Sequence, residues 1–160
     1  MTIAIMFVLV LTGSAGVSHG IEREDFDAVV DFEHSLKSVS RAVREGTGEI
    51  PRDRLVVLDG VVSAVEILDA EEESFRARIE LLRGEWRELE EIITYNAYVD
   101  LGGSRFRDRF PERAGRGATS AQIGTHSEVL VVARFTGTEE DDRGNPVPVF
   151  EGLYLRILPD

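Results

Sequence analysis

The chain has 160 residues, room for one domain with a single core. Its apolar fraction of 42% and charged fraction of 30% are those of a folded globular protein and exclude a disordered chain. A formal net charge of −12 argues against general affinity for nucleic acid or anionic membranes, because the long-range field repels both. The absence of cysteine excludes disulfides, thiol nucleophiles and cysteine metal sites, and leaves the compartment open.

In chain order, Ile3–Leu11 is a short apolar run followed by the small residues Thr12–Gly16. A membrane-spanning helix needs about 20 apolar residues. The shorter run fits the core of a signal peptide, although no Lys or Arg precedes it. Residues 1–20 are therefore expected to be a leader, and the mature protein to be periplasmic or secreted, with no transmembrane segment left after cleavage. Gly16-Val-Ser-His-Gly20 matches a G-x-S-x-G nucleophile pattern, but lacks the surrounding strand-turn-helix context that the motif requires.

Residues 21–51 form an extension before the main body. Ala28–Phe32 reads as a short strand. Ser35 is suited to cap a helix in which Leu36, Val39 and Val43 recur at helical spacing, with Gly46 and Gly48 ending it and Pro51 blocking continuation. The segment is expected to cover one opening or edge of the body that follows.

Residues 52–160 carry five strand patterns. Phe75, Ala77, Ile79 and Leu81 alternate with Arg76, Arg78 and Glu80, the period of two that a half-buried strand requires. Similar runs lie at Arg54–Leu68, Glu91–Leu101, Ser127–Thr138 and Val147–Leu158. Asp59-Gly60 inside the first run reads either as a two-residue hairpin or as a glycine bend in one long coiled strand, the latter favoured because small barrels need such bends. A helical pattern at Arg105–Ala114 separates the third and fourth strands. Glu139–Pro146 is a polar hairpin loop in which Gly144 and Asn145 supply positive φ.

The order strand-strand-strand-helix-strand-strand, together with Ile123-Gly124 leading into Glu128–Arg134, resembles the OB fold over roughly two-thirds of the chain. The expected architecture is mainly β: a five-stranded, closed or partly open barrel with a short helix between strands three and four. That resemblance implies a binding face on strands two and three, flanked by the loops joining strands one to two and four to five. Here the face presents Arg76, Arg78, Thr94, Asn96 and Tyr98, with Trp86 nearby. The candidate ligand-binding set is Arg76, Arg78, Trp86, Asn96 and Tyr98, since arginine and aromatic residues dominate such contacts.

Two further clusters compete for attention. Arg105, Arg107, Arg109 and Arg113 interleave with Phe106 and Phe110 as an anion-binding candidate. The simpler reading puts both rings on the barrel floor at i and i+4 and leaves the arginines solvated. The acidic loops at Asp69–Glu73 and Glu139–Asp142 lack the spacing of a dedicated calcium loop, and His19, His34 and His126 lack zinc spacing, so no metal is expected. With no phosphate- or dinucleotide-binding glycine motif and no convergent triad, neither a cofactor nor catalysis is expected.

These readings favour an exported, non-catalytic binding module for a protein or small polar ligand, with nucleic acid an unfavoured partner. The rival is an intracellular single-stranded nucleic-acid or anion binder using the arginine-rich segment.

Overall fold

The computed structural model describes residues 29–88, 91–111 and 122–159. Strand β1 (Val30–Asp31) and helix α1 (Leu36–Glu45) precede a meander of β2 (Leu55–Asp69), β3 (Arg76–Arg87) and β4 (Glu91–Gly102). The one-turn helix α2 (Ser104–Arg107) follows, then β5 (Glu128–Glu140) and β6 (Pro146–Ile157). The strands run β1-β2-β3-β4-β6-β5, and β5 pairs back onto β2 to close the ring. The closing β4–β6 contact is parallel, Tyr98 opposite Val149 through Leu101 opposite Gly152.

Period-two alternation fills the interior. Ala77, Ile79 and Leu81 of β3 and Ala97, Val99 and Leu101 of β4 are fully buried, while the residues between them face out. Burying each Ile, Leu or Val is worth about 1.5–3 kcal/mol, so this stripe is a main source of the barrel's stability.

The Asp59-Gly60 ambiguity resolves as one long strand. Leu55–Val61 pair with β5, and Val61–Asp69 pair with β3, so β2 changes partner at Val61. A Cβ at Gly60 would lie 2.8 Å from the Leu82 carbonyl oxygen, which leaves no room for a side chain. The register shifts fall between Val62 and Ala64 and between Ile67 and Asp69, so the strand's irregularities lie beyond the glycine.

Helix α1 closes one mouth of the barrel. The Ser35 hydroxyl accepts from the Ser38 amide, and the Ser38 hydroxyl accepts from the Ser35 amide, a reciprocal cap. Gly46 ends the helix at φ 63°, a left-handed conformation that favours glycine. Leu36 and Val39 are fully buried in the core. Ahead of it, β1 is stapled to β2: the Asp31 carboxylate accepts from the amides of Glu33 and His34 and from His34 Nδ1, and lies 3.6 Å from Arg54 Nη1. Burial pushes the Asp31 carboxyl up, but these hydrogen bonds outweigh it and hold the group below its ordinary value.

The other mouth is floored by Phe75, Phe106 and Phe110, with the Phe75 and Phe110 rings 5.7 Å apart. The helix expected over Arg105–Ala114 is only Ser104–Arg107, continued by turns to Phe110. Pro111 contributes to the early stop, since it has no N–H for the Arg107 carbonyl and its ring would clash with that group in a continued helix. Ala114 lies outside the described residues. In the β5–β6 loop Asp141 Oδ1 accepts from the amides of Arg143 and Asn145, and Gly144 alone takes positive φ, 78°.

Candidate nucleic-acid interface

The outer face of β3 and β4 is a sequence of cross-strand pairs: Arg76–Gly102, Arg78–Asp100, Glu80–Tyr98, Leu82–Asn96, Gly84–Thr94 and Trp86–Ile92. At the strand rise of about 3.4 Å per residue, Tyr98 and the Trp86–Ile92 pair are separated by roughly 20 Å. The two ends of this face differ in kind.

At the first end Arg78 is held by two carboxylates. Its Nε and Nη2 donate to Asp100 at 2.6 and 2.9 Å, and its Nη1 and Nη2 donate to Glu139 at 2.6 and 3.0 Å. Asp100 is its cross-strand partner; Glu139 arrives from the end of β5. Hydrogen bonds to Asp100, then Glu139, raise the guanidinium's already high pKa further. The guanidinium also sits over the Tyr98 ring, 5.3 Å from its centroid. The Tyr98 phenol is raised by burial first and by Glu80, Asp141 and Asp142, so the ring stays neutral. Arg76 faces Asp69 across the β2–β3 ladder; hydrogen bonds from Glu71 and Ser74, and then the Arg76 charge, hold the Asp69 carboxyl below its ordinary value.

In the middle, Asn96 is already engaged. Its Nδ2 donates to Glu80, and its Oδ1 accepts from Arg44 of α1, which also donates to the Thr94 carbonyl. Glu80 in turn accepts from Ser63 at 2.6 Å.

At the second end β3 and β4 run on past their neighbours as a two-stranded ribbon. The β2 pairing of β3 ends at Leu82, and the β6 pairing of β4 covers only Tyr98–Leu101. Trp86 is 69% exposed and Ile92, directly opposite, 54%. The outward residues of the last three pairs, Leu82, Asn96, Gly84, Thr94, Trp86 and Ile92, include no charge. The inner side of the ribbon is tied to the barrel and α1. Glu85 accepts from Lys37 and the Tyr95 hydroxyl, Arg41 donates to that hydroxyl, and Arg83 pairs with Asp59. Held from beneath, the ribbon presents Trp86 to solvent.

The structure thus places Arg76, Arg78, Asn96, Tyr98 and Trp86 on one face, with Arg78 and Asn96 in internal bonds. It adds Ile92, Asp100, Glu139 and Arg44. Ile92 shares the parity of Thr94, Asn96 and Tyr98, a signal present in the sequence. Asp100 follows only from the register, and Glu139 and Arg44 only from the tertiary fold.

The arginine-rich segment is less unified. Arg105 lies over the Phe106 ring, Arg107 pairs with Glu72 at 3.2 Å, and Arg109 donates to the Leu155 carbonyl under the barrel. Phe106 and Phe110 are buried in the floor. Arg113 lies outside the described residues, as do the Gly16–Gly20 motif and His19. Among the described residues no three His, Asp or Glu side chains are grouped to hold a metal ion. Asp69 and Asp141 instead accept backbone hydrogen bonds within their own turns.

A mixed sheet with this strand order, closed between its first and fourth long strands and floored by the helix before the fourth, is an OB-like barrel. No family model matches the chain, and no curated protein does. Among solved structures it is similar to the second single-stranded DNA-binding protein, SSBb, of Mycobacterium smegmatis, at 11% identity and a TM-score of 0.40, covering 64% of this chain and 86% of that one. It is similar also to Plasmodium falciparum SSB in complex with ssDNA, at 16% identity and a TM-score of 0.42, covering 66% and 94%. The N-terminal domain of PriB from Thermoanaerobacter tencongensis matches at 11% identity and a TM-score of 0.41, covering 66% and 97%. At these identities the likeness concerns the fold.

These findings correct four expectations from the sequence. The exported module for a protein or small polar ligand gives way, two of its contact residues, Arg78 and Asn96, being bonded internally. The disfavouring of nucleic acid is withdrawn as well. Its physical flaw was to spread a whole-chain charge evenly, whereas the outward residues of the last three β3–β4 pairs carry no charge, the carboxylates of Glu88 and Glu91 standing beside them at the ribbon's tip. The secreted or periplasmic description and the location outside the cytoplasm fall with it. Both rested on Ile3–Leu11, which lies outside the described residues.

Proposed function

We propose that this barrel binds single-stranded nucleic acid, without catalysis, along the outer face of β3 and β4. One observation carries the reading: an exposed tryptophan paired with an exposed isoleucine on a braced ribbon, in line with Tyr98 on the same face. Unpaired bases stack on aromatic rings at about 1–3 kcal/mol each, and the roughly 20 Å between the two rings suits a site of several nucleotides, within the about 4–16 that an OB barrel accommodates. Arg76, beside Gly102, and the exposed Arg105 lie towards the opposite end of the face, where they receive phosphates, while Arg107 is held by Glu72. The arginine-rich segment becomes a rim to the site.

With a net charge of −12, stacking supplies most of the affinity and phosphate neutralisation little. Two cations, Arg76 and Arg105, give a log K against log salt slope of about −1.4, at about −0.7 per phosphate on a single strand. Trp86 is the only tryptophan, so its fluorescence reports the site directly. Titration with an oligothymidylate at low salt is expected to quench Trp86, with that shallow slope. An unmoved Trp86 signal, or binding that survives Trp86→Ala undiminished, would sink the reading.

A further inference from the structure

The Arg78 contacts are asymmetric. Asp100 is fixed opposite Arg78 by the β3–β4 register, and its two oxygens take Nε and one N–H of Nη2. Glu139 takes the remaining edge, formed by Nη1 and Nη2. It stands near the tip of the β5–β6 hairpin, one residue before the strand ends, and its side chain is 48% exposed. One carboxylate therefore comes from the adjoining strand of the ladder, and the other reaches over from the end of the β5–β6 hairpin.

The bidentate edge of a guanidinium fits the two oxygens of a phosphodiester as well as those of a carboxylate. An edge lying over a neutral tyrosine ring, on the face where stacked bases are proposed to run, is placed to take a backbone phosphate beside a base on Tyr98. We propose that the Nη1–Nη2 edge of Arg78 is a phosphate-binding position of the single-strand site and that Glu139 occupies it when no strand is bound. This rests on the single-strand reading above. Strand entry exchanges the Glu139 carboxylate for a phosphate, Asp100 keeps Arg78 aimed, and the Glu139 side chain turns out to solvent. Glu139 thereby sets a threshold: only a ligand that presents a phosphate to Arg78 while stacking on the rings displaces it.

The test uses fluorescence anisotropy of a labelled oligothymidylate, and of the same oligomer with uncharged methylphosphonate linkages. Glu139→Ala is expected to tighten the phosphodiester roughly three- to tenfold, the range of an exposed pair plus relief of one repulsion, and to leave the methylphosphonate unchanged. Glu139→Gln, which keeps an acceptor for Arg78, should give a smaller gain. Arg78→Gln in the Glu139→Ala background should erase it. Glu140→Ala, one residue along, controls for charge alone and should gain less than Glu139→Ala. If the wild type binds but Glu139→Ala gains no more than Glu140→Ala, or gains equally on the methylphosphonate, the displacement is overturned and the single-strand reading stands. If neither protein binds either oligomer, both fall.

Discussion

The two ends of the β3–β4 face are built from the same ladder and finished in opposite ways. Around Arg78 the outward groups hold one another: Asp100 and Glu139 hold the guanidinium, and Glu80, Asn96, Ser63 and Arg44 form a second chain of hydrogen bonds. Around Trp86 the satisfied groups lie on the inner side, where Lys37 and Arg41 of α1 meet Glu85 and Tyr95, and the outer side is left apolar and open. The difference sets internal charge pairing against an open stacking platform along one pair of strands. The first end is costly to alter because its charges hold one another, and the outer side of the second can be altered at little cost because Trp86 and Ile92 are largely exposed.

Trp86→Ala tests this most sharply. Oligonucleotide affinity is expected to fall about ten- to a hundredfold, the value of a lost stacking platform, with the urea midpoint nearly unchanged. A large loss of stability there would erase the contrast. Arg78→Ala should do the reverse, lowering unfolding free energy by about 1–3 kcal/mol in urea titration, because Asp100 and Glu139 are left facing each other unneutralised. A neutral result would show the cluster to be dispensable.

Ser35→Ala sharpens the contrast from below. Losing the cap of α1 is expected to cost about 1 kcal/mol. If the brace is real, amide exchange should also speed up in Arg83–Arg87 and not in Arg76–Glu80. Smallest is the acid response of the β1 staple. Asp31 is held below its ordinary pKa in the folded chain, so its contribution is complete above the ordinary carboxylate range and is lost as pH falls through the lowered value. Asp31→Asn should flatten the loss of stability below about pH 4, measured by urea midpoints across the acid range. An unchanged acid limb would remove Asp31 from the account.

Much of the fold was readable before the structure. Alternation alone assigned the inward Ala77, Ile79 and Leu81 and the outward Arg76, Arg78 and Glu80, because a period of two leaves no other choice of face. Ser35 and Gly46 marked the ends of α1 by capping chemistry, and Phe106 and Phe110 announced the floor by their spacing. Alternation does not give register, however. That Arg78 meets Asp100 depends on where the β3–β4 hairpin turns, and that Glu139 joins them depends on a strand some sixty residues later in the chain. The projection of the ribbon depends on where β2 and β6 stop, which neither β3 nor β4 encodes. Net charge misled for a related reason: it sums the chain and is silent about which face the acids occupy.

The shared strand β2 has a consequence for how the molecule reaches its fold. Its second half pairs with β3, its neighbour in sequence, but its first half waits for β5, with Leu55 opposite Arg134. During synthesis the three-stranded meander can therefore form first, with Val56 and Leu58 still uncovered until most of the chain has left the ribosome. Closure between such distant segments is slow compared with a local hairpin. The half-made barrel is an open sheet with an apolar face, and the interval before β5 arrives is when this protein is most exposed to mispairing with another chain.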